Sequence, residues 1–131
     1  MIDDQVHLQA ALLCEEVTTD QSGRHNIYNE FSQYTMGFSQ PFTVFTIWRG
    51  SNSKPLYSVH ELTEIIAPDG RVVASGKNGP FSLPDPTYRQ VNSLMLENID
   101  FTTEGIYELK ITLCEDDKAI IKSYTDAIMV V

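Results

Sequence analysis

The alternation of apolar and polar residues is the feature that most constrains how this chain folds. Apolar side chains recur mainly at every second position, and clusters of Gly, Pro, Asn, Asp and Ser interrupt them roughly every 8 to 15 residues. No stretch keeps a helical period over several turns. The pattern predicts an all-β fold, and a length of 131 residues predicts one domain over residues 1–131.

Turn signals divide the chain into short strands. Pro68, Asp69 and Gly70 fit the positions of a tight hairpin turn. A bulge is predicted at residues 60–62, a crossover at 32–40 and a long irregular segment at 76–92, where three of the six prolines lie. Strands are predicted at residues 6–14, 24–31, 42–49, 57–67, 71–75, 93–101, 106–113, 119–123 and 127–131, with a bend at 124–126 between the last two.

Residues 94–113 are the most specific stretch. They read as a strand, a polar corner closed by Glu104 and Gly105, and a second strand, and together they predict the last core hairpin. The residues that define its pattern are Leu94, Leu96, Ile99, Gly105, Tyr107 and Leu109.

This spacing resembles that of the E and F strands of immunoglobulin-like domains. Tyr107 stands where those domains carry the tyrosine corner, whose hydroxyl bonds to the backbone of the corner. Thr103 replaces the usual Asp, and Leu109 replaces the sheet-bridging Cys. The resemblance implies an immunoglobulin-like, two-sheet antiparallel β-sandwich of seven to nine strands without the antibody-type disulfide, with Trp48 as the candidate core tryptophan.

Over nearly its full length, the chain also resembles an uncharacterised family of small bacterial β-sandwich proteins. The residues that carry this resemblance are the strand at 10–14, the turn at 20–23, the hairpin turn at 68–70 and the Gly-Ile-Tyr sequence at 105–107. The family has no known activity, so the resemblance implies a domain of unknown function.

Charge and composition disfavour several classes of partner. The net charge is −9, from 18 acidic and 9 basic residues, which argues against nucleic acid and against anionic membrane surfaces. Acidic residues near the start, where a signal peptide would carry basic ones, predict a cytoplasmic chain. Cys14 and Cys114 are then expected to be free thiols, with a disulfide between the chain ends as the alternative.

No local motif predicts catalysis, a metal or a cofactor. His60 and Glu64 are the candidates considered, because they share a strand face if no bulge intervenes; a solvent-facing or otherwise satisfied histidine is the expected reading. Acidic residues at 3–4, 15–16 and 115–117 are candidates for Ca²⁺, which prefers six to eight oxygen ligands. The alternative is that they are solvated turn residues.

Two further segments suggest ligand or partner contacts. Aromatic residues at 28, 31, 34, 38 and 42 are either sugar platforms or part of the core. The segment with Phe81 and Tyr88 is either a docking loop or an ordered surface loop.

The sequence therefore predicts a non-enzymatic protein-interaction or structural module. The alternative is a ligand-binding module for carbohydrate or Ca²⁺, and a hydrolase that uses His60 and Glu64 ranks last. The partner is expected to be an unidentified protein. Residues 127–131, AIMVV, end without a polar cap and predict a homo-oligomer through the C-terminal strand.

Overall fold

The computed structural model describes residues 6–35, 41–52, 54–97, 99, 101–115 and 119–131. These residues form ten strands, against the seven to nine predicted, and contain no helix. The strands are β1 (His7–Cys14), β2 (Glu16–Thr19), β3 (His25–Tyr28), β4 (Gln33–Tyr34), β5 (Phe42–Arg49), β6 (Leu56–Ile66), β7 (Val72–Leu83), β8 (Arg89–Leu96), β9 (Gly105–Glu115) and β10 (Ala119–Val130).

Two sheets and a hairpin make up the fold. The first sheet has the order β1-β5-β8, the second has the order β4-β10-β9-β6-β7, and β2 pairs with β3 in a two-stranded sheet. All pairings are antiparallel except the short one between β4 and β10. Since β8 and β9 lie in opposite sheets, as the E and F strands of immunoglobulin-like domains do, the fold is an immunoglobulin-like β-sandwich.

Strand β5 is apolar on both faces because it lies between two cores. Val44 and Trp48 face the second sheet and belong to the main core. Phe45 and Ile47 face the other way and pack with Cys14 in a smaller core. Side chains from the β2–β3 hairpin, which was only half predicted, contribute to this smaller core, so the protein has a third, partial layer.

The predicted hairpin at 94–113 is wrong in its pairing. Leu94 and Leu96 on β8 pair with β5, whereas Tyr107 and Leu109 on β9 pair with β6 and β10. The polar corner therefore carries the chain from one sheet to the other. Alternation shows which face of a strand is buried, but it does not show which neighbour the strand bonds to.

Tyr107 nevertheless makes the bond that the corner pattern predicts. Its hydroxyl donates to the carbonyl oxygen of Thr103 at 2.9 Å, and its ring is buried. Gly105 has a φ of +138°, and a Cβ atom there would lie 3.0 Å from Cγ of Pro68. Trp48, Leu96, Ile99 and Leu109 are buried, and Leu94 is half-buried.

The irregular segment predicted at 76–92 is mostly strand. β7 continues to Leu83 and β8 begins at Arg89, which leaves only residues 84–88 outside the sheets. β7 is the edge strand of its sheet, and an edge tolerates Pro80. Gly76 is needed there because a Cβ atom would lie 2.7 Å from Cδ2 of Leu94.

Three other boundaries differ from prediction. The second predicted strand, residues 24–31, is shortened to β3 and pairs with the unpredicted β2. β10 has no break at 124–126; its irregularity lies between Ile120 and Lys122. The predicted strand at 93–101 begins at Arg89 and ends at Leu96.

The turn at Pro68–Gly70 was predicted correctly, but the bulge predicted at residues 60–62 is wrong. β6 pairs with β9 without a shift there, and the extra residue at the β6–β7 register shift lies on β7, between Asn78 and Phe81. The N–H of Gly70 and the N–H of Ala67 close the hairpin turn, and the β6–β7 register shifts between Val59 and Glu61. In the predicted crossover, β4 joins the second sheet. Residues 36–40 lie outside the described residues.

A buried carboxylate links the two sheets. Glu61 on β6 is 1% exposed, and its Oε2 atom accepts hydrogen bonds from Thr46 Oγ1 and Trp48 Nε1 of β5, both at 2.6 Å. Its Oε1 atom accepts a third bond from Asn78 Nδ2 of β7 at 3.0 Å. Three donors thus replace the water that a buried carboxylate loses.

Replacing Tyr107 by Phe tests the corner. The substitution removes one hydroxyl and keeps the buried ring, so it should lower the free energy of unfolding by about 1 kcal/mol. Urea denaturation measures this change. Tyr57→Phe, at a tyrosine that is mostly exposed, is the control and should have no effect. Equal stability of Tyr107→Phe and wild type would show that the bond contributes nothing.

Replacing Glu61 by Ala tests the bridge between the sheets. The donors on Thr46, Trp48 and Asn78 would lose their acceptor, and the free energy of unfolding should fall by about 3 kcal/mol. Glu64→Ala, on the opposite face of the same strand, should cost less than about 1 kcal/mol. Similar losses for the two variants in chemical denaturation would contradict a special role for Glu61.

Candidate functional site

His60 and Glu64 share the outer face of the second sheet, but they do not form a catalytic pair. Four residues of strand separate them by about 13 Å. Their direct cross-strand neighbours on β9 are Cys114 for His60 and Lys110 for Glu64. His60 Nδ1 is buried and has no hydrogen-bond partner among the described residues; it lies beside Gly79, where a Cβ atom would be 2.9 Å from it. The hydrolase hypothesis therefore loses the geometry on which it was based.

The acidic residues considered for Ca²⁺ are only partly described. Glu15 accepts a hydrogen bond from Asn29 Nδ2 at 2.8 Å, and Glu115 ends β9. Residues 3–4 and 116–117 lie outside the described residues. In the part of the chain that the structure covers, no three His, Cys, Asp or Glu side chains are grouped to hold a metal ion.

Three exposed aspartates have turn roles. Hydrogen bonds lower the pKa of each: the Ser22 hydroxyl acts on Asp20, the Arg71 backbone N–H on Asp69, and the Thr87 hydroxyl on Asp85. These partners belong to the same turns as the aspartates. The pKa shifts are thus explained by local turn structure.

Both cysteines are free thiols. Burial raises the pKa of Cys14, the backbone N–H of Glu16 opposes this shift, and the charge of Glu30 adds to it. Cys14 lies on β1 of the first sheet and Cys114 on β9 of the second, so the two strand ends belong to different sheets.

A cleft of about 330 Å³ lies where β1 passes into the β2–β3 hairpin. It unites an acidic segment and an aromatic segment that are separate in the sequence. The Glu15–Asn29 hydrogen bond closes one side, and Asn29 has a φ of +54°. The lining residues are Glu15, Asn29, Glu30, Phe31, Gln33, Tyr34, Thr35, Pro41 and Phe42.

The aromatic residues of this region form the edge of the core rather than an exposed platform. The Phe31 ring centroid lies 5.2 Å from that of Phe42, edge to face, and 5.7 Å from that of Tyr34. Tyr34 and Phe42 are buried, and Phe31 is half-buried. Tyr28 is exposed and does not line the cleft.

An apolar group lies on the outer face of the second sheet, across four adjacent strands. Ile106 on β9 and Met129 on β10 are direct cross-strand partners and are 64% and 47% exposed. Ile66 on β6 pairs directly with Val72 on β7, which is 52% exposed. We call these four residues the apolar patch. Sequence reasoning missed it because it assigned the strand partners incorrectly.

Charged side chains border the apolar patch. Glu108 stands opposite Ile66, and the next pair along the strands is Lys110 with Glu64. Lys77 lies opposite Leu62 on the β7 side. The outer face thus carries Glu64, Glu108, Lys77 and Lys110, which balance in charge.

The backbone of the C-terminal segment is already bonded within the chain. The N–H groups of Met129 and Val131 donate to the carbonyls of Ser32 and Tyr34, and the N–H of Ala127 donates to Asp126 Oδ1. The end of β10 can therefore contact a neighbouring molecule through its side chains but not through these N–H groups.

The predicted docking segment is less open than expected. Phe81 lies within β7 and packs against the main core. Tyr88 is partly exposed, and its hydroxyl bonds to Gln90. The described residues include no helix with the length and hydropathy required to cross a bilayer.

Comparison with solved structures supports the sandwich fold. A β-glucuronidase of glycoside hydrolase family 2 matches 97% of this chain with a TM-score of 0.60 and 14% identity. A family 2 member from Bacteroides cellulosilyticus matches 95% with a TM-score of 0.62 and 16% identity. The chain spans only 11% and 15% of these two proteins, so the likeness concerns the fold of one part of each.

An immunoglobulin-like protein from Pseudomonas aeruginosa is also similar, with a TM-score of 0.41, 11% identity and 97% of each chain covered. No curated protein sequence matches the chain significantly.

Family comparison covers most of the chain. The model of a family of unknown function, DUF6941, matches residues 9–123. The matched range begins inside β1 and ends inside β10, so it includes both sheets and the β2–β3 hairpin. The protein is therefore a member of the DUF6941 family, with an immunoglobulin-like β-sandwich fold.

Proposed function

We propose that this domain is a non-enzymatic interaction module that contacts a second copy of itself through the apolar patch. The observation that carries the proposal is the exposure of Ile106, Met129 and Val72 beside Ile66, across four neighbouring strands. Two neighbouring apolar pairs on one sheet face favour a protein contact, whereas single exposed apolar residues are ordinary.

The local charge balance favours a second copy as the occupant. The chain carries a net charge of −9, so two copies repel each other on average. On the outer face of the second sheet, Lys77 and Lys110 offset Glu64 and Glu108. Two such faces approach each other without a net charge penalty, and a two-fold contact would bring Glu108 of one copy near Lys110 of the other.

This proposal keeps the C-terminal strand in the contact but changes how it takes part. Met129 belongs to β10, and the N–H groups of Met129 and Val131 bond to the β4 region. The contact is therefore between sheet faces and uses side chains. It does not extend the sheet by edge pairing.

Ile106→Lys and Met129→Lys test the contact. Each change places a charge in the apolar patch without altering the core, so the dimer dissociation constant should rise at least tenfold, which corresponds to about 1.4 kcal/mol. Sedimentation velocity over a concentration series measures it against the monomer mass of 14.8 kDa.

Met95→Lys is the matched control. Met95 is 60% exposed on β8, in the first sheet, and the same charge is added there away from the patch. It should leave the dissociation constant unchanged. A wild-type chain that stays monomeric at millimolar concentration, or equal loss of the dimer in Met95→Lys, would overturn the proposal.

A further inference from the structure

We propose that the cleft beside the β2–β3 hairpin binds a positively charged guanidinium or ammonium group. This site is independent of the apolar patch, and its test does not depend on self-association. The proposal rests on the chemistry of the lining, the room in the cleft and the position of the two carboxylates.

The described residues of the lining are rich in acceptors and include no basic residue. Glu15 and Glu30 bring two carboxylates, and Asn29 donates to only one oxygen of Glu15, at 2.8 Å. Gln33 adds an amide oxygen. A guanidinium group carries five donors and one positive charge, which complement such a lining.

The fold holds the carboxylate of Glu15 in place. The N–H of Glu15 donates to the carbonyl of Tyr28 at 3.0 Å, and its side chain is bonded to Asn29. Phe31, which follows Glu30, is anchored by an N–H bond to the carbonyl of Leu13 at 2.9 Å. A ligand therefore meets acceptors whose backbone positions are already set, which lowers the entropy cost of binding.

The aromatic residues suit a flat cation. Phe31 is half-buried and meets Phe42 edge to face, with an interplanar angle of 88°. Aromatic rings attract guanidinium and ammonium groups, and the effect grows when water is excluded. A volume of about 330 Å³ accommodates the end of an arginine or lysine side chain.

The two ligands considered from the sequence fit this lining less well. Ca²⁺ prefers six to eight oxygens, and the cleft offers two carboxylates, of which one is already bonded to an amide. A neutral sugar carries no charge, so the negative charge of the two carboxylates does not favour its binding. A cation gains from both carboxylates, and its affinity should fall as salt is added.

Titration of the full chain with N-acetyl-L-argininamide, followed by nuclear magnetic resonance, tests the proposal. The side-chain amide signals of Asn29 and Gln33 should shift, while that of Gln9, outside the cleft lining, should not. Glu30→Gln and Glu15→Gln should each weaken binding about tenfold, because each removes one charge-assisted contact. Both are exposed residues, and glutamine keeps an acceptor for Asn29.

Glu16→Gln is the matched control. It removes the same charge from the exposed residue next to Glu15, which does not line the cleft. It should leave the affinity unchanged. The neutral isostere N-acetyl-L-citrullinamide should not shift the two amide signals.

Further ligands show whether the bound cation belongs to a protein side chain or to a free small molecule, and whether the cleft prefers a cation to a sugar or Ca²⁺. Stronger binding of N-acetyl-L-argininamide than of agmatine would assign the cation to a protein side chain, and the reverse order would assign it to a free small molecule. Both results support the site. Shifts with maltose or calcium chloride in place of the cation, equal binding of the citrulline compound, or no shift at all would overturn it.

Discussion

The buried carboxylate of Glu61 is the interaction on which the arrangement of the two sheets depends. Its oxygens accept hydrogen bonds from β5 of the first sheet and from β7 of the second, so it fixes the position of β6 along both strands. A one-residue slip of β6 would turn Glu61 to the outer face and leave Trp48 Nε1 buried without an acceptor. β6 alternates regularly from Val59 to Ile66, and the β6–β7 register shift places its extra residue on β7, next to Asn78, which donates to Glu61.

The alternation of β6 also determines which of its side chains lie on the outer face of the second sheet. With Glu61 and Ile65 facing inward, His60, Leu62, Glu64 and Ile66 must face outward. Tyr107 fixes the alternation of β9 in the same way. Its hydroxyl bonds to the Thr103 carbonyl and holds the ring in the core, so the preceding residue, Ile106, faces outward. Two buried polar contacts thus position an exposed apolar surface, which links the stability of the fold to its proposed contact.

Short-range sequence patterns predicted the elements that depend on interactions within a few residues. The β5 strand, the Pro68–Gly70 turn and the Tyr107 corner follow from propensity, turn chemistry and spacing within a few residues. The pairing of strands that are distant in the sequence could not be predicted from such patterns. β7 passes through Gly76 and Pro80 because β6 bonds along it, and propensity alone argues against a strand there. The cleft was missed for the same reason, because only tertiary pairing brings Glu15 to the aromatic residues. Glu61, an acidic residue at an inward position, suggested a bulge at 60–62 instead of a buried hydrogen-bond acceptor, because its donors come from the distant strands β5 and β7.

The two proposed surfaces meet at one structural link. Gln33, which lines the cleft, is the register partner of Met129, which belongs to the apolar patch, in the short parallel pairing of β4 and β10. The N–H of Met129 also donates to the carbonyl of Ser32 at 3.1 Å. A cation bound in the cleft would be connected to the apolar patch through this pairing. Such coupling is reciprocal, so a cation that favours the dimer must bind the dimer more tightly by the same factor. The ladder between β4 and β10 is only two residues long, so few hydrogen bonds connect the two surfaces.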